Sequence, residues 1–248
     1  MSTAEPSSPE QNDVRTRLLE AAGPIFAKQG FDRSTLREIS GAAGVNLASV
    51  GYYFGDKMGL YRHVIRELRI RRESRFPAPT EQTGDPTGEL AGLVHIMLTR
   101  MLAKDNSGWE SQLLMREMQH PTTAFEEIVN ESFRPIFDRL VRAIDGLTGD
   151  NVPPHVNQQL ALSVVGQCLY YRVGRGVIDI LIPEKDRTQH YDIDSLSRHI
   201  IAVTLCATER AALMDQKSKL DQLATDSKAD SQPQPSVSES TPTNLHAE

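Results

Sequence analysis

Apolar residues recur at three- and four-residue steps along most of this chain, and nowhere does an apolar/polar alternation persist long enough to make a sheet. The pattern predicts an all-α protein. The first helix is expected from about Asp13 to Gln29, with Val14, Leu18, Ala21, Ala22, Ile25 and Phe26 on one face and Gly30 as its stop. Pro24 deprives the Glu20 carbonyl of its helical partner, so a kink is expected there. Two short helices follow, about 35–42 and 46–54, then a longer one from about Lys57 to Arg75 that ends before Pro77. Further helices are predicted at 87–104, 108–119, 121–146, 154–181 and 190–214. Their separators are PAPTEQTGDPTG, KDNSG, Pro121, GLTGDNVPP and PEKDRTQH. Residues 1–12 and 215–248 are rich in Ser, Pro, Gln, Asp and Thr with few apolar residues. They cannot repay their ordering entropy and are predicted to be disordered tails.

Composition narrows the class. With 248 residues and 39% hydrophobic content, the chain is long and apolar enough for an ordinary core. It lacks a run of roughly 18 apolar residues, and it opens on a polar, acidic stretch, so neither a membrane partner nor export is expected and the location reads as cytoplasmic. Cys168 and Cys206 show no metal or redox spacing and read as buried core thiols. The net charge of −6 hides an asymmetry: between Asp13 and Phe76 twelve cations face seven acids, a local net of +5, which leaves −11 for the rest. Such a split fits one module that faces a polyanion, or equally a solvated helix face.

The segment after Arg33 carries the most specific pattern. Thr35-Leu36-Arg37-Glu38 has the order of a capping box, in which hydroxyl and carboxylate satisfy orphan amides at a helix start. Leu36, Ile39 and Ala43 form an apolar face that leads to Gly44, suited to a turn of positive backbone angle, and to Val45, which can plug the angle between two helices. Asn46 is a good N-cap for the next helix, which buries Leu47 or Val50 and exposes Ala48, Ser49, Gly51 and Tyr52. The spacing of Ile39, Ala43, Gly44, Val45 and Val50 is that of a DNA-binding helix-turn-helix, although other helical hairpins share it.

The stretch from Arg15 to Tyr61, centred on AAGPIFAKQGFDRSTLREISGAAGVNLASVGYYFGDKMGLY, resembles the N-terminal domain of TetR/AcrR-family transcriptional regulators. The run A-A-x-x-x-F-A-x-x-G-F, the Ser/Thr pair opening helix two, A-G-V before helix three and Y-x-F-x-x-K-x-x-L after it carry the likeness. Weaker similarity to the CecR-like branch extends into REMQHPTTAFEEI and VVGQCLYYRVGRGVI. The resemblance implies a DNA-binding domain at 13–56 and a helical effector-binding and dimerisation domain at 57–214. It also implies a homodimer, each subunit placing helix three in the major groove of half of a near-palindromic double-stranded operator. Thr35, Ser49, Tyr53 and Lys57 are then the phosphate-positioning groups, and Arg37, Leu47, Ala48 and Tyr52 face base edges. Gly51 stands where the family commonly has a larger side chain. It either lets the helix approach DNA closely or drops one base contact.

The remainder is acidic and more apolar. Helices 154–181 and 197–214 are apolar nearly all round, more than one chain covers, so a bundle of two helices from each subunit is expected. Leu160, Val164, Val165, Leu169, Ile200 and Val203 are its candidate interface; the alternative is the centre of a monomeric core. The family likeness also implies a pocket for an unknown small-molecule effector. Trp109, Met115, Met118, Phe125 and Phe133 are its candidate apolar lining, with Arg116 and His120 as polar anchors. No G-x-S-x-G, H-E-x-x-H, C-x-x-C or phosphate-loop motif occurs, so neither an enzyme nor a cofactor is expected. The competing class is a helical adaptor that binds another protein.

Overall fold

The computed structural model describes residues 9–81, 84–103, 108–149 and 152–229, with side chains between 13 and 211. The outer parts of both expected tails, 1–8 and 230–248, lie outside the described residues, as do 82–83, 104–107 and 150–151 within three expected turns. Every regular element among the described residues is helical. In chain order they are α1 (Pro9–Arg33), α2 (Leu36–Ala43), α3 (Leu47–Phe54), α4 (Lys57–Arg75), α5 (Pro86–Leu102), α6 (Glu110–Gln119) and α7 (Phe125–Ile128). A π-helical turn (Val129–Phe133) follows, then α8 (Arg134–Thr148), α9 (Pro154–Val173), α10 (Arg175–Leu181), α11 (Glu184–His190) and α12 (Ile193–Ala229).

Two apolar cores organise these helices. The first joins Leu18, Ala22 and Phe26 of α1, Ile39 of α2, Val50 and Phe54 of α3, and Leu60, Tyr61, Val64 and Leu68 of α4. Leu113 of α6 and Ala124 and Ile128 around α7 close its open side. The second is built from Leu90, Leu93, Val94 and Leu98 of α5, Leu140 and Ile144 of α8, Ala161, Val164 and Cys168 of α9, and Leu196 and Ile200 of α12. The first core therefore takes residues from both sides of residue 56, with α4, α6 and α7 all contributing.

Several boundaries differ from the sequence expectation for identifiable reasons. Gly30 adopts φ 83°, ψ 172° and breaks α1 as expected, but the helix resumes for a few residues and also starts earlier, at Pro9. The expected helix 121–146 is interrupted by the π-helical turn immediately before Pro135, whose missing N–H cannot continue the α ladder. The expected helix 154–181 breaks at Gly174, where an added Cβ would lie 2.8 Å from the Tyr170 carbonyl oxygen and 2.9 Å from its ring. PEKDRTQH is not a turn but holds α11. Its first turn carries Glu184 and Asp186 and its last turn Arg187 and His190, an order that complements the helix dipole. The backbone of α12 runs on to Ala229, past the expected end at 214, through a stretch free of Gly and Pro.

Candidate nucleic-acid interface

The helix-turn-helix is built by local hydrogen bonds that the sequence foreshadows. Thr35 Oγ1 accepts from the Glu38 amide at 3.1 Å and opens α2. The Glu38 carboxylate, expected to complete a capping box, instead accepts from Gln29 Nε2 and ties α2 to α1. Gly44 sits in the left-handed region (φ 62°, ψ 38°), with its own N–H donating to Gly41 and the Val45 N–H to Ser40, the double bond of a Schellman ending. The Arg17 guanidinium donates across the turn to the Ala43 and Gly44 carbonyls at 2.6 and 2.9 Å. Asn46 Oδ1 accepts from the Ala48 amide at 2.9 Å and starts α3. Asp56 starts α4 in the same way, accepting from the Gly59 amide at 2.7 Å. Both ends of α3 are thus fixed.

The buried side of α3 consists of Val50 and Phe54, so Val50 and not Leu47 is the inward residue. Leu47, Ala48, Gly51 and Tyr52 face solvent, Tyr52 at 73% exposure. Ser49 and Tyr53 are half-buried, and Tyr53 packs edge-on to Tyr52 at 4.8 Å between ring centroids. An added Cβ on Gly51 would meet nothing within 4 Å, so the protein's own packing does not require the glycine. Thr35 and Arg37, at the start of α2, are exposed. The Lys57 ammonium donates to the Asp32 carbonyl at 3.2 Å and lies 4.6 Å from the Phe31 ring centroid, which leaves further N–H groups to donate outward.

Tertiary structure redistributes the basic excess. Arg62 pairs with Glu127 at 3.0 Å, Arg69 with Glu131 at 3.1 Å and Glu73 at 3.4 Å, and Arg71 with Glu67 at 3.3 Å. Arg72 donates to the Arg100 carbonyl. Much of the charge on α4 therefore serves contacts within the chain, whereas Arg37 on α2 is exposed. Arg17 and Asp56 were not singled out from sequence. Asp56 was legible as an N-cap residue, but Arg17 was not, because its contact spans some 26 positions.

The expected effector residues differ in burial and in partners. Trp109 and Phe125 are half-buried against the first core, and the Trp109 ring lies where a Cβ on Gly23 would come within 2.5 Å of it. Arg116 donates to the Gln29 carbonyl at 3.1 Å, capping the broken end of α1. Met115 is half-buried, and Met118, His120 and Phe133 are exposed. Of the expected interface residues, Val164 and Ile200 require correction: at 1% and 0% exposure they lie in the chain's own core, on the inward sides of α9 and α12. Leu160, Val165 and Leu169 are half-buried and Val203 is 43% exposed. Leu162, Tyr170 and Val173, and Val177 and Ile180 on α10, remain exposed. Cys206 is exposed, contrary to expectation, while Cys168 is buried and its thiol is pushed up to about 12 by that burial. Among the described residues no helix is long and apolar enough to cross a membrane, and no cluster suited to a metal ion occurs.

A capped helix-turn-helix presenting an uncovered second helix, carried on a helical body, is the arrangement of DNA-binding regulators that read the major groove. Comparison with known proteins agrees. Residues 18–64 match the family described as bacterial regulatory proteins, tetR family, and residues 86–208 match the C-terminal domain of the HTH-type transcriptional dual regulator CecR. The chain belongs to the TetR family and carries a CecR-type C-terminal domain. It is 25% identical to the CecR regulator of Shigella flexneri over 175 residues, 66% of this chain and 78% of the relative. It is 29% identical to the AcrR regulator of the same organism over 38% of this chain and 45% of that one. The fold is shared with Salmonella enterica GusR, at a TM-score of 0.52 and 17% identity over 83% of this chain and all of that one. A TetR-like regulator from Rhodococcus sp. RHA1 shares it at 0.53 and 16%, over 77% and 93%.

Proposed function

We propose that this regulator acts as a homodimeric repressor that binds a near-palindromic operator through α3 and is released by a small-molecule effector. The observation that carries the proposal is α3 itself: capped by Asn46, stopped at Gly55, anchored by Val50 and Phe54, and uncovered along Leu47, Ala48, Gly51 and Tyr52. In this assignment residues 13–56 read DNA and 57–214 bind the effector and the second subunit. Thr35, Ser49, Tyr53 and Lys57 hold phosphates. Thr35 is suited to this because its oxygen accepts from the Glu38 amide, which leaves its hydroxyl proton available to donate. Arg37, Leu47, Ala48 and Tyr52 meet base edges. Relatives described as repressors, BepR of Brucella suis and KstR2 of Mycobacterium tuberculosis, support the sign of the regulation. The description of the CecR relative as a dual regulator favours a second reading, in which operator position decides between repression and activation. The effector class most compatible with Trp109, Met115 and Phe125 is a largely apolar molecule, with Arg116 or His120 as a polar anchor.

The test is a mobility shift on the DNA flanking the protein's own coding region across a salt series. Binding by the wild-type dimer is expected, and its absence at low salt overturns the proposal. Lys57→Ala is expected to weaken binding alike on all sequences and to lower the salt slope by about 0.9 per subunit. An unchanged slope removes Lys57 from the phosphate contacts.

A further inference from the structure

One carboxylate joins the reading head to the body behind it. Glu117 on α6 is 1% exposed, yet among the described residues it pairs with no cation. Its Oε1 accepts a hydrogen bond from the Tyr61 hydroxyl of α4, and its Oε2 accepts from both the Thr122 amide and the Thr122 hydroxyl at 3.2 Å. Tyr61 is held in the middle of the first core, edge-on to Phe26 at 4.8 Å and to Phe31 at 5.2 Å. Burial first, and then the bond to Glu117, push the Tyr61 phenol well above its ordinary range, so it remains a donor. Two residues earlier than Tyr61 the same helix is pinned by Asp56, and Met58 receives a bond from the Thr123 hydroxyl at 3.5 Å.

We infer that Glu117 is a positioning residue for DNA recognition, a latch that fixes α4 and hence α3 by holding Tyr61 on one side and the α6–α7 turn on the other. A buried carboxylate served by three neutral donors tolerates two arrangements: all donors in place, or the group released to water. An intermediate arrangement leaves a buried charge unsatisfied, which is costly. Displacement of α6 therefore either carries α4 with it or opens the latch entirely. The exposed ion pairs Arg62–Glu127 and Arg69–Glu131 run alongside, but half-exposed pairs of that kind contribute little. The latched form is the DNA-binding form. This inference rests on the reading of the chain as a DNA-binding regulator.

The experiment uses the full chain, a duplex selected by the wild-type protein from a random pool, and the variants Tyr61→Phe, Glu117→Gln and their combination. Each single variant is expected to lower affinity about fivefold or more, within the usual range of coupling between sites. The double variant is expected to bind no worse than the weaker single, because one latch is lost only once. Hydrogen exchange should rise in residues 119–124 of Tyr61→Phe and in residues 57–65 of Glu117→Gln, far from each substitution in sequence. Arg142→Gln, which removes an exposed pair with Glu81, serves as the control that changes neither. The latch is overturned if both singles bind like wild type, if they lose affinity only in proportion to their unfolded fraction, or if each exchange change stays on its own side. A wild-type protein that selects no duplex overturns the regulator reading instead, and the exchange measurements still decide whether the two sides are coupled.

Discussion

Gly51 is a glycine that its own protein does not need. Space for a Cβ is open, and the helix continues through it, so its cost is a helix-propensity deficit of about 1 kcal/mol relative to alanine. Gly51→Ala is expected to raise unfolding free energy by up to ~1 kcal/mol, read from denaturant midpoints. Gly51→Asn then separates the two explanations for the residue. Lost operator affinity in a folded protein supports close approach to DNA, and equal or sharper binding sinks it. Gly23 is the contrasting case: the Trp109 ring occupies the place of its Cβ, so that glycine is explained by packing alone. Nothing in the local sequence distinguishes the two, because the difference is made by a side chain 86 positions away.

At the scale of elements, the ends of the helix-turn-helix helices are capped by bonds that reach two to five residues along the chain. Asn46 capping Ala48, Thr35 capping Glu38 and Gly44 closing α2 are all of this kind. Such features were legible because their physics is local. Asn46→Ala is expected to lower stability by about 1 kcal/mol, measured by thermal or chemical unfolding. Its operator affinity should fall further than this loss alone explains, since the start of α3 frays. α11 was not legible, because a helix polar all round leaves no hydrophobic period. Its place is secured by Arg187, which donates to the Ile182 carbonyl at 2.7 Å and pairs with Asp179 at 3.3 Å. The π-helical turn was equally hidden, although Pro135 marks where the α register must give way.

For the whole molecule, the question is which apolar surface the chain uses on itself. α9 and α12 each turn one side into the second core and leave another outside, where Leu162 is 59% and Val203 43% exposed. If the outer side meets a second subunit, Leu162→Glu combined with Val203→Glu yields a helical monomer in sedimentation and abolishes tight operator binding. Val164→Ala, on the inner side, is expected to keep the dimer and lose about 2 kcal/mol of stability through a cavity. A double variant that stays dimeric places the interface elsewhere.

The sequence by itself determined the all-helical class and the helix-turn-helix with the Thr35, Asn46 and Gly44 ends of its helices. Each of these follows from propensity, periodicity and hydrogen bonds between near neighbours. Only the tertiary structure decided that Val164 and Ile200 belong to the chain's own core, that Cys206 faces outward, and that Arg62, Arg69 and Arg72 of α4 reach Glu127, Glu131 and the Arg100 carbonyl. It also brought Tyr61 to Glu117 across 56 positions. An amphipathic helix announces that it has an inner side, but which neighbour fills that side, and which charge meets which, is set by contacts between segments distant in the chain.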